Sequence, residues 1–244
     1  MLPVIQIGPV TIQSLVLASI VALWLGTTVA ERACRQRALD PNDAWNVVAL
    51  ALAVTFFSAR LVFVLQNLPV YAGDWRQAFA PTPNALSLDY GAIFGLVAGY
   101  AYIQRRAIPL APFADALAPG ALVALAVIAC GQFLSGDGYG MPTKIAWGIF
   151  IWGEPRHPVQ LYDAFAALAG LALIGWLARR TVRAGGIALG ALAWYSAARV
   201  FLDAFRADVA VLDNGYRVTQ VIALIVLLLA LSRLTRGQTH SPGG

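Results

Sequence analysis

Seven stretches of this 244-residue chain run far enough with little or no charge to cross a bilayer. They fall near residues 11–30, 45–66, 86–104, 112–134, 158–178, 186–205 and 217–233. A hydrocarbon core about 30 Å thick is crossed by roughly 20 apolar residues in a helix. Inside that core every backbone polar group must find its partner within the segment, so an apolar run of this length is read as a helix. The third, sixth and seventh runs have uncharged cores near the short end of the range. The pattern predicts an all-α, polytopic membrane helix bundle of about seven transmembrane helices, forming a single bundle over residues 1–236. Only 12% of residues are charged, about half the fraction of a soluble domain, and mean hydropathy is +0.70.

Basic residues orient the bundle. The first charged side chain is Glu31, so the first apolar run lacks the basic leader of a secretory signal and is expected to be retained. Its positive flank, Arg32, Arg35 and Arg37, follows it. Alternating the seven runs puts ten basic residues at cytosolic ends and five outside, with Arg60 and Arg199 inside runs. The N-terminus is therefore expected outside and the C-terminus in the cytosol. Two outer loops are long, 67–85 and 135–156, and carry Trp75, Tyr139, Trp147 and Trp152, residues suited to the headgroup level. Residues 237–244 read as a flexible tail. Cys34 and Cys130 fall at opposite faces and are not expected to pair.

Polar groups cluster where the fifth run opens: Arg156-His157-Pro158-Val159-Gln160-Leu161-Tyr162-Asp163. His157, Gln160 and Asp163 recur every three residues over the first two turns of a helix, with Tyr162 beside them. A helix N-terminus offers free N–H groups and a positive dipole end, which favour an anion, and His157 is a candidate proton carrier. A capped helix start explains Pro158 without any chemistry. In the sixth run Tyr195, Arg199 and Asp203 are spaced by four and share a helix face, which Arg206 extends by a turn. Two readings are open there. The three form an intrahelical set that hides charge, or Arg199 holds a phosphodiester oriented by Asp203 and Tyr195. Arg206 and Asp208, nearer the exit, read as solvated or as headgroup contacts.

Arg60 lies inside the second run. It snorkels or pairs with a carboxylate, or it grips an anion with its forked guanidinium. Gln132 precedes the turn Ser135-Gly136-Asp137-Gly138-Tyr139-Gly140, and Asp137 lies within it. Asp89 and Tyr90 open the third run, where Asp89 reads as a cap, and Asp115 reads as an inner cap or ion pair. No His-Glu-x-x-His, Cys/His cluster or Gly-x-Ser-x-Gly elbow occurs. Basic residues are strung along loop ends and form no nucleic-acid patch. No metal, cofactor or nucleic-acid partner is expected.

These pieces, in this order, resemble the bacterial prolipoprotein diacylglyceryl transferase family. The resemblance runs from Ile7-Gly8-Pro9-Val10 through Ala59-Arg60-Leu61, Asp115, Pro119, Gly131-Gln132-Phe133 and Gly136-Asp137. It continues through Arg156 to Asp163, then Tyr195, Arg199, Asp203 and Arg206, to Gln220. The family's Arg-His-Pro-Ser-Gln-Leu-Tyr-Glu run is matched with two substitutions, Val159 and Asp163. Departures fall at Tyr90-Gly91-Ala92, where the family carries His-Gly-Gly, and at Ala129, where it carries an arginine. Others fall at Gln132 for asparagine, Ser135-Gly136-Asp137 for Asn-Gly-Glu, and Gln13-Ser14-Leu15 for a tyrosine-bearing cluster.

The resemblance implies a seven-span enzyme of the bacterial cytoplasmic (inner) membrane, with its site opening outward. The implied reaction moves a diacylglyceryl group from phosphatidylglycerol to the cysteine thiol of a lipoprotein precursor peptide, forming a thioether and releasing glycerol phosphate. It implies Arg199 and Arg60 as phosphate ligands. Tyr195, Gln160, Gln132, Asp137, Tyr162, Asp203 and Arg206 would shape the substrate site, and His157, Asp89 or Tyr90 would assist proton movement or supply a hydrogen bond. A repurposed lipid- or peptide-binding protein of the same fold is the alternative, and a transporter path lined by Arg60 and Arg199 a more distant one.

Overall fold

The computed structural model describes residues 2–7, 10–79, 85–180, 182–211 and 215–236. Gly8, Pro9, Pro81, Pro83 and the tail 237–244 lie outside the described residues. Among those described, two short strands, β1 (Val4–Ile7) and β2 (Val10–Gln13), lead into α1 (Ser14–Gln36) and α2 (Pro41–Gln66). There follow the single turn α3 (Leu68–Tyr71), α4 (Leu88–Arg105), α5 (Leu110–Ser135), the strands β3 (Ile149–Ile151) and β4 (Glu154–Arg156), α6 (Val159–Leu177), α7 (Gly186–Leu202) and α8 (Val218–Arg236). Six of the seven long helices are long and apolar enough to cross a membrane. The seventh, α4, holds Asp89, Tyr90, Tyr100, Tyr102 and Arg105 within 18 residues, which dilutes its apolarity.

The first apolar run is shifted from its expected limits of 11–30. Residues 10–13 pair antiparallel with 4–7, as the β-branched series Val4, Ile5, Ile7, Val10, Thr11, Ile12 favours. The helix then runs on to Gln36, where Arg35 Nη2 meets Glu31 Oε1 at 2.5 Å one turn away. The second helix starts earlier than expected. The Asp40 carboxylate accepts from the Asn42 N–H at 2.9 Å and Pro41 takes the first helical position.

The chain divides into two compact units, Met1–Ala38 with Ala111–Gly244, and Leu39–Leu110. In the second, α4 lies directly along α2. Gly91, Gly95 and Gly99, spaced by four, form the buried side of α4. A Cβ at Gly95 would stand 2.6 Å from the Ala51 carbonyl and 2.0 Å from Thr55 Oγ1. Small residues at this spacing let membrane helices approach closely. At one end of the pair the Tyr102 hydroxyl donates to Asp43 at 3.0 Å, and Asn46 Nδ2 donates to Tyr102 Oη at 3.1 Å.

In the first unit, Ala118, Leu122, Ile174 and Ala191 form a core shared by α5, α6 and α7. Trp194 Nε1 reaches across to the Ala166 carbonyl at 2.8 Å, joining α7 to α6. Asp115 of α5 accepts from the Gly185 and Ala188 N–H groups at 2.7 and 2.8 Å. It caps the start of α7, a neighbouring helix, and satisfies two donors that every helix start leaves open. Gln220 Nε2 donates to the Val200 carbonyl at 2.9 Å and ties α8 to α7. Both cysteines are free, Cys34 buried and Cys130 exposed.

Candidate functional site

The site in the first unit is built on main-chain bonds between segments far apart in sequence. The hairpin β3–β4 turns at Trp152 and Gly153, with φ of 57° and 87°, the left-handed pair of a type I′ turn. Residues 139–143 lie alongside β4. His157 N–H donates to the Met141 carbonyl at 3.0 Å and Thr143 N–H to the Pro155 carbonyl at 2.9 Å. On the other edge Met141 N–H donates to the Phe205 carbonyl at 2.7 Å and Ala207 N–H to the Tyr139 carbonyl at 3.1 Å. The loop expected over 135–156 is thus largely a ladder, and it holds His157 on one side and Arg206 on the other. Gly140 makes this possible: a Cβ there would stand 2.3 Å from the His157 carbonyl.

Charged groups meet where α6, α7 and residues 203–208 come together. Asp163 Oδ2 accepts from Arg206 Nη1 at 2.6 Å, and Arg199 Nη1 lies 3.4 and 3.3 Å from the two Asp163 oxygens. Arg199 Nη2 is 2.6 Å from Asp203 Oδ1, an ion pair at an angle that leaves neither Asp203 oxygen with an aligned donor among the described residues. Arg206 is further bonded to Asp208 at 3.1 and 3.2 Å. Asp203 is fully buried and Arg206 nearly so, whereas the Arg199 side chain remains 21% exposed. The solvated Arg206 of the sequence reading is therefore corrected: two carboxylates enclose it, because a guanidinium this deep requires paired charge. Burial works against its charge, yet Asp208, Asp163 and Asp203 outweigh that and hold its pKa above the ordinary arginine value.

Gln160, fully buried, donates from Nε2 to the Asp137 carbonyl at 2.8 Å, while its Oε1 has no partner among the described residues. The Asp137 carboxylate is exposed and accepts from Ser135 Oγ at 2.8 Å. Gly138, at φ +65°, passes so close that a Cβ would lie 2.8 Å from Arg206 Nη2 and 3.4 Å from Gln132 Oε1. Gln132, Asp137, Gln160 and Arg206 are thus gathered around one turn. Tyr195 packs against the core of Ala118, Leu122, Ile174 and Ala191.

His157 sits against Phe205, ring centroids 5.0 Å apart, and its Nδ1 is 3.5 Å from the Tyr162 hydroxyl. That hydroxyl accepts from Trp147 Nε1 at 2.8 Å. All three side chains line an apolar trough of ≈ 530 Å³, with Ile145, Phe165, Ala166, Trp194, Ala198, Phe201, Leu202 and Phe205 as its remaining walls. Arg156 lies over the Tyr139 ring, 5.1 Å to its centroid, donates to the Gly140 carbonyl at 3.1 Å and pairs with Glu154.

Arg60, Asp89 and Tyr90 belong to the second unit. The Arg60 guanidinium donates to three carbonyls of the connection between α2 and α4: Gln77 at 2.8 Å, Ala78 at 2.9 Å and Ala85 at 3.0 Å. Asp89 lies in the first turn of α4 with its side chain exposed, and Tyr90 is 52% exposed. The sequence reading left Trp147 out of the site, and it counted Asp163 in the opening cluster without giving it the two arginine partners it meets here. A carboxylate one turn into an apolar run signals a buried cation partner, and that signal was available for Asp163. Trp147 gave no such signal.

Comparison with known proteins matches residues 3–236 to the family model described as prolipoprotein diacylglyceryl transferase. A phosphatidylglycerol–prolipoprotein diacylglyceryl transferase of Clostridioides difficile is 30% identical over 202 residues, covering 82% of this chain and 81% of the relative. Its namesake in Streptococcus sanguinis is 28% identical over 93% of this chain and 92% of the relative. One from Streptomyces griseus is 28% identical over 98% of this chain and 77% of the relative. With Arg156, His157 and Arg206 held along one ladder, Asp163 of α6 paired with Arg199 of α7, and a match over nearly its whole length, the chain belongs to the prolipoprotein diacylglyceryl transferase family.

Proposed function

We propose that this protein transfers the diacylglyceryl group of phosphatidylglycerol to the cysteine thiol of a lipoprotein precursor, at the outer face of a bacterial cytoplasmic membrane. The observation that carries the reading is Arg199: a guanidinium held between Asp163 and Asp203, 21% exposed, beside an apolar trough. Fixed positive charge in a water-poor site stabilises charge that develops on a leaving phosphate.

In this reading the thiol loses its proton and the sulfur attacks the glycerol carbon next to the phosphate. A C–S bond forms, the C–O bond breaks, and its electron pair leaves on glycerol phosphate. Arg199 faces the phosphodiester, and Arg206 keeps Asp163 in place. His157, held on the ladder, receives the thiol proton. Gln160 Oε1 and the exposed Asp137 carboxylate offer acceptors to the glycerol hydroxyls. Arg60, with three of its five N–H donors on carbonyls, holds the connection after α2 and keeps a charge that no described carboxylate pairs. Seven crossings, with the N-terminus outside, bring the ladder to the outer leaflet.

A lipid-binding role without turnover is the second reading. It is favoured by the engagement of both guanidiniums with carboxylates, and by Tyr90 and Ala129 where the family has histidine and arginine. Purified protein incubated with phosphatidylglycerol and a cysteine-bearing precursor peptide decides between them. Thioether product that disappears in Arg199→Ala supports transfer. Lipid retained without product supports the second reading.

A further inference from the structure

Asp163, Asp203 and Asp208 face Arg199 and Arg206, so the charge cluster sets three carboxylates against two guanidiniums. Arg156 and Glu154 cancel each other. A phosphodiester arriving at Arg199 meets an excess of negative charge, and like charges in a water-poor site repel. An anionic donor therefore needs a further cation, one not already paired.

Arg217 is such a cation. It stands immediately before α8, and its main chain is pinned by a bridge to Val211 and by the Val218 N–H, which donates to the Ala210 carbonyl at 3.1 Å. Its Nη1 donates to the Ala204 carbonyl at 2.8 Å. Ala204 directly follows Asp203, the carboxylate that Arg199 meets, so their Cα atoms are about 3.8 Å apart. Its Nη2 lies 3.3 Å from Met141 Sδ, on the ladder residue whose carbonyl accepts the His157 N–H. A thioether sulfur is a weak acceptor. Nε has no partner, and no carboxylate pairs with Arg217, among the described residues. We propose that Arg217 is a specificity-determining residue of the transferase, a guanidinium that joins Arg199 at the donor's headgroup and selects a net-anionic phospholipid over a zwitterionic one. The proposal rests on the transferase reading above.

The chemistry of the two headgroups makes the choice. Phosphatidylglycerol carries a phosphodiester and an uncharged glycerol. Phosphatidylethanolamine carries the same phosphodiester and an ammonium. The cluster alone, with one carboxylate in excess, attracts the ammonium. Arg217 cancels that excess and repels the ammonium, so one side chain both draws the first lipid and rejects the second. Its donors suit the phosphate oxygens that both lipids share, and its charge supplies the discrimination.

The test uses the full chain in phosphatidylcholine nanodiscs doped with either lipid, together with the precursor peptide. Arg217→Gln keeps an N–H for the Ala204 carbonyl and drops the charge. It is expected to lower the ratio of kcat/KM for phosphatidylglycerol over phosphatidylethanolamine by about tenfold, through a higher KM for phosphatidylglycerol with kcat changed by less than about twofold. Arg217→Lys retains the charge and is expected to keep the ratio within about threefold of the parent's. Lys144→Gln removes an exposed cation from the loop before β3 and is expected to leave the ratio unchanged. Phenylglyoxal modification of the parent protein, read by mass spectrometry, makes the same test if Arg217→Gln does not fold. Relative to the exposed Arg76, Arg217 is expected to react more slowly in phosphatidylglycerol discs than in phosphatidylethanolamine discs. An unchanged ratio in Arg217→Gln, an equal fall in the glutamine and lysine variants, or equal modification in the two discs overturns the proposal. Protection of Arg217 by phosphatidylglycerol without any thioether product keeps the headgroup contact and rejects the transferase reading instead.

Discussion

Asp163 Oδ2 accepts from Arg206 Nη1 at 2.6 Å across 43 positions of sequence, with both side chains 7% exposed. The same carboxylate faces Arg199, so one acidic group orients two guanidiniums. Asp163→Ala removes that group and leaves Arg206 buried with Asp208 as its remaining close partner. Breaking a buried pair on one side costs about 3–5 kcal/mol. The variant is expected to melt lower in detergent and to lose transferase activity, whereas Asp163→Glu is expected to retain a measurable part of both. Thermal unfolding and product formation, measured on the same preparations, check it.

Arg60→Lys is expected to free the connection between α2 and α4. A lysine is a point charge and cannot meet three carbonyls with the geometry of a planar fork. Loss of even one charge-assisted bond, about 1.5 kcal/mol, corresponds to roughly tenfold faster local opening. Amide hydrogen exchange over Trp75–Phe79 is the measurement, and rates equal to the parent protein's would show that the clasp carries no weight.

Gly140→Ala is expected to lower kcat/KM by about tenfold or more. Its methyl would meet the His157 carbonyl at 2.3 Å, inside the ladder, and overpacking of this kind costs about 1–3 kcal/mol. A substitution at Gly175, which has open space around its Cβ position, is the control for generic effects on the apolar helices. Steady-state kinetics of both variants make the comparison.

Asp115→Ala is expected to separate stability from chemistry. It removes two bonds from the start of α7 and none from the charge cluster. A lost cap is worth about 0.5–2 kcal/mol. A lower Tm with kcat nearly unchanged is the expected outcome; a large loss of kcat would mean that the start of α7 governs the placement of Arg199.

Most of the helical architecture was legible because the bilayer imposes a length on every crossing, and runs such as 112–134 and 158–178 show it directly. The N-terminal strands and β3–β4 were not legible. Each has three or four residues per strand, too short for an alternation to stand out against apolar surroundings. The Gly91-Gly95-Gly99 contact with α2 is a spacing of four in the sequence, but glycine is common in membrane helices and the spacing alone names no partner helix. In the site, the pairing of Arg199 with Asp203 followed from a spacing of four along one helix. The burial of Arg206 did not, because it stands beyond the end of α7 while its partner Asp163 lies on α6, and only the fold joins them. The carbonyl partners of Arg60 leave no trace in side-chain sequence at all.

Threaded between two neighbours, residues 139–143 act as a splice. The imidazole hangs from one margin and the guanidinium of Arg206 from the other. Parting the splice on either side would strip paired amides in a setting with few spare acceptors. The rim of the pocket is therefore stiff, and neither group drifts without dragging its counterpart along. On the reading proposed above, whatever breathing admits the precursor and the lipid together falls to the surroundings of that rim.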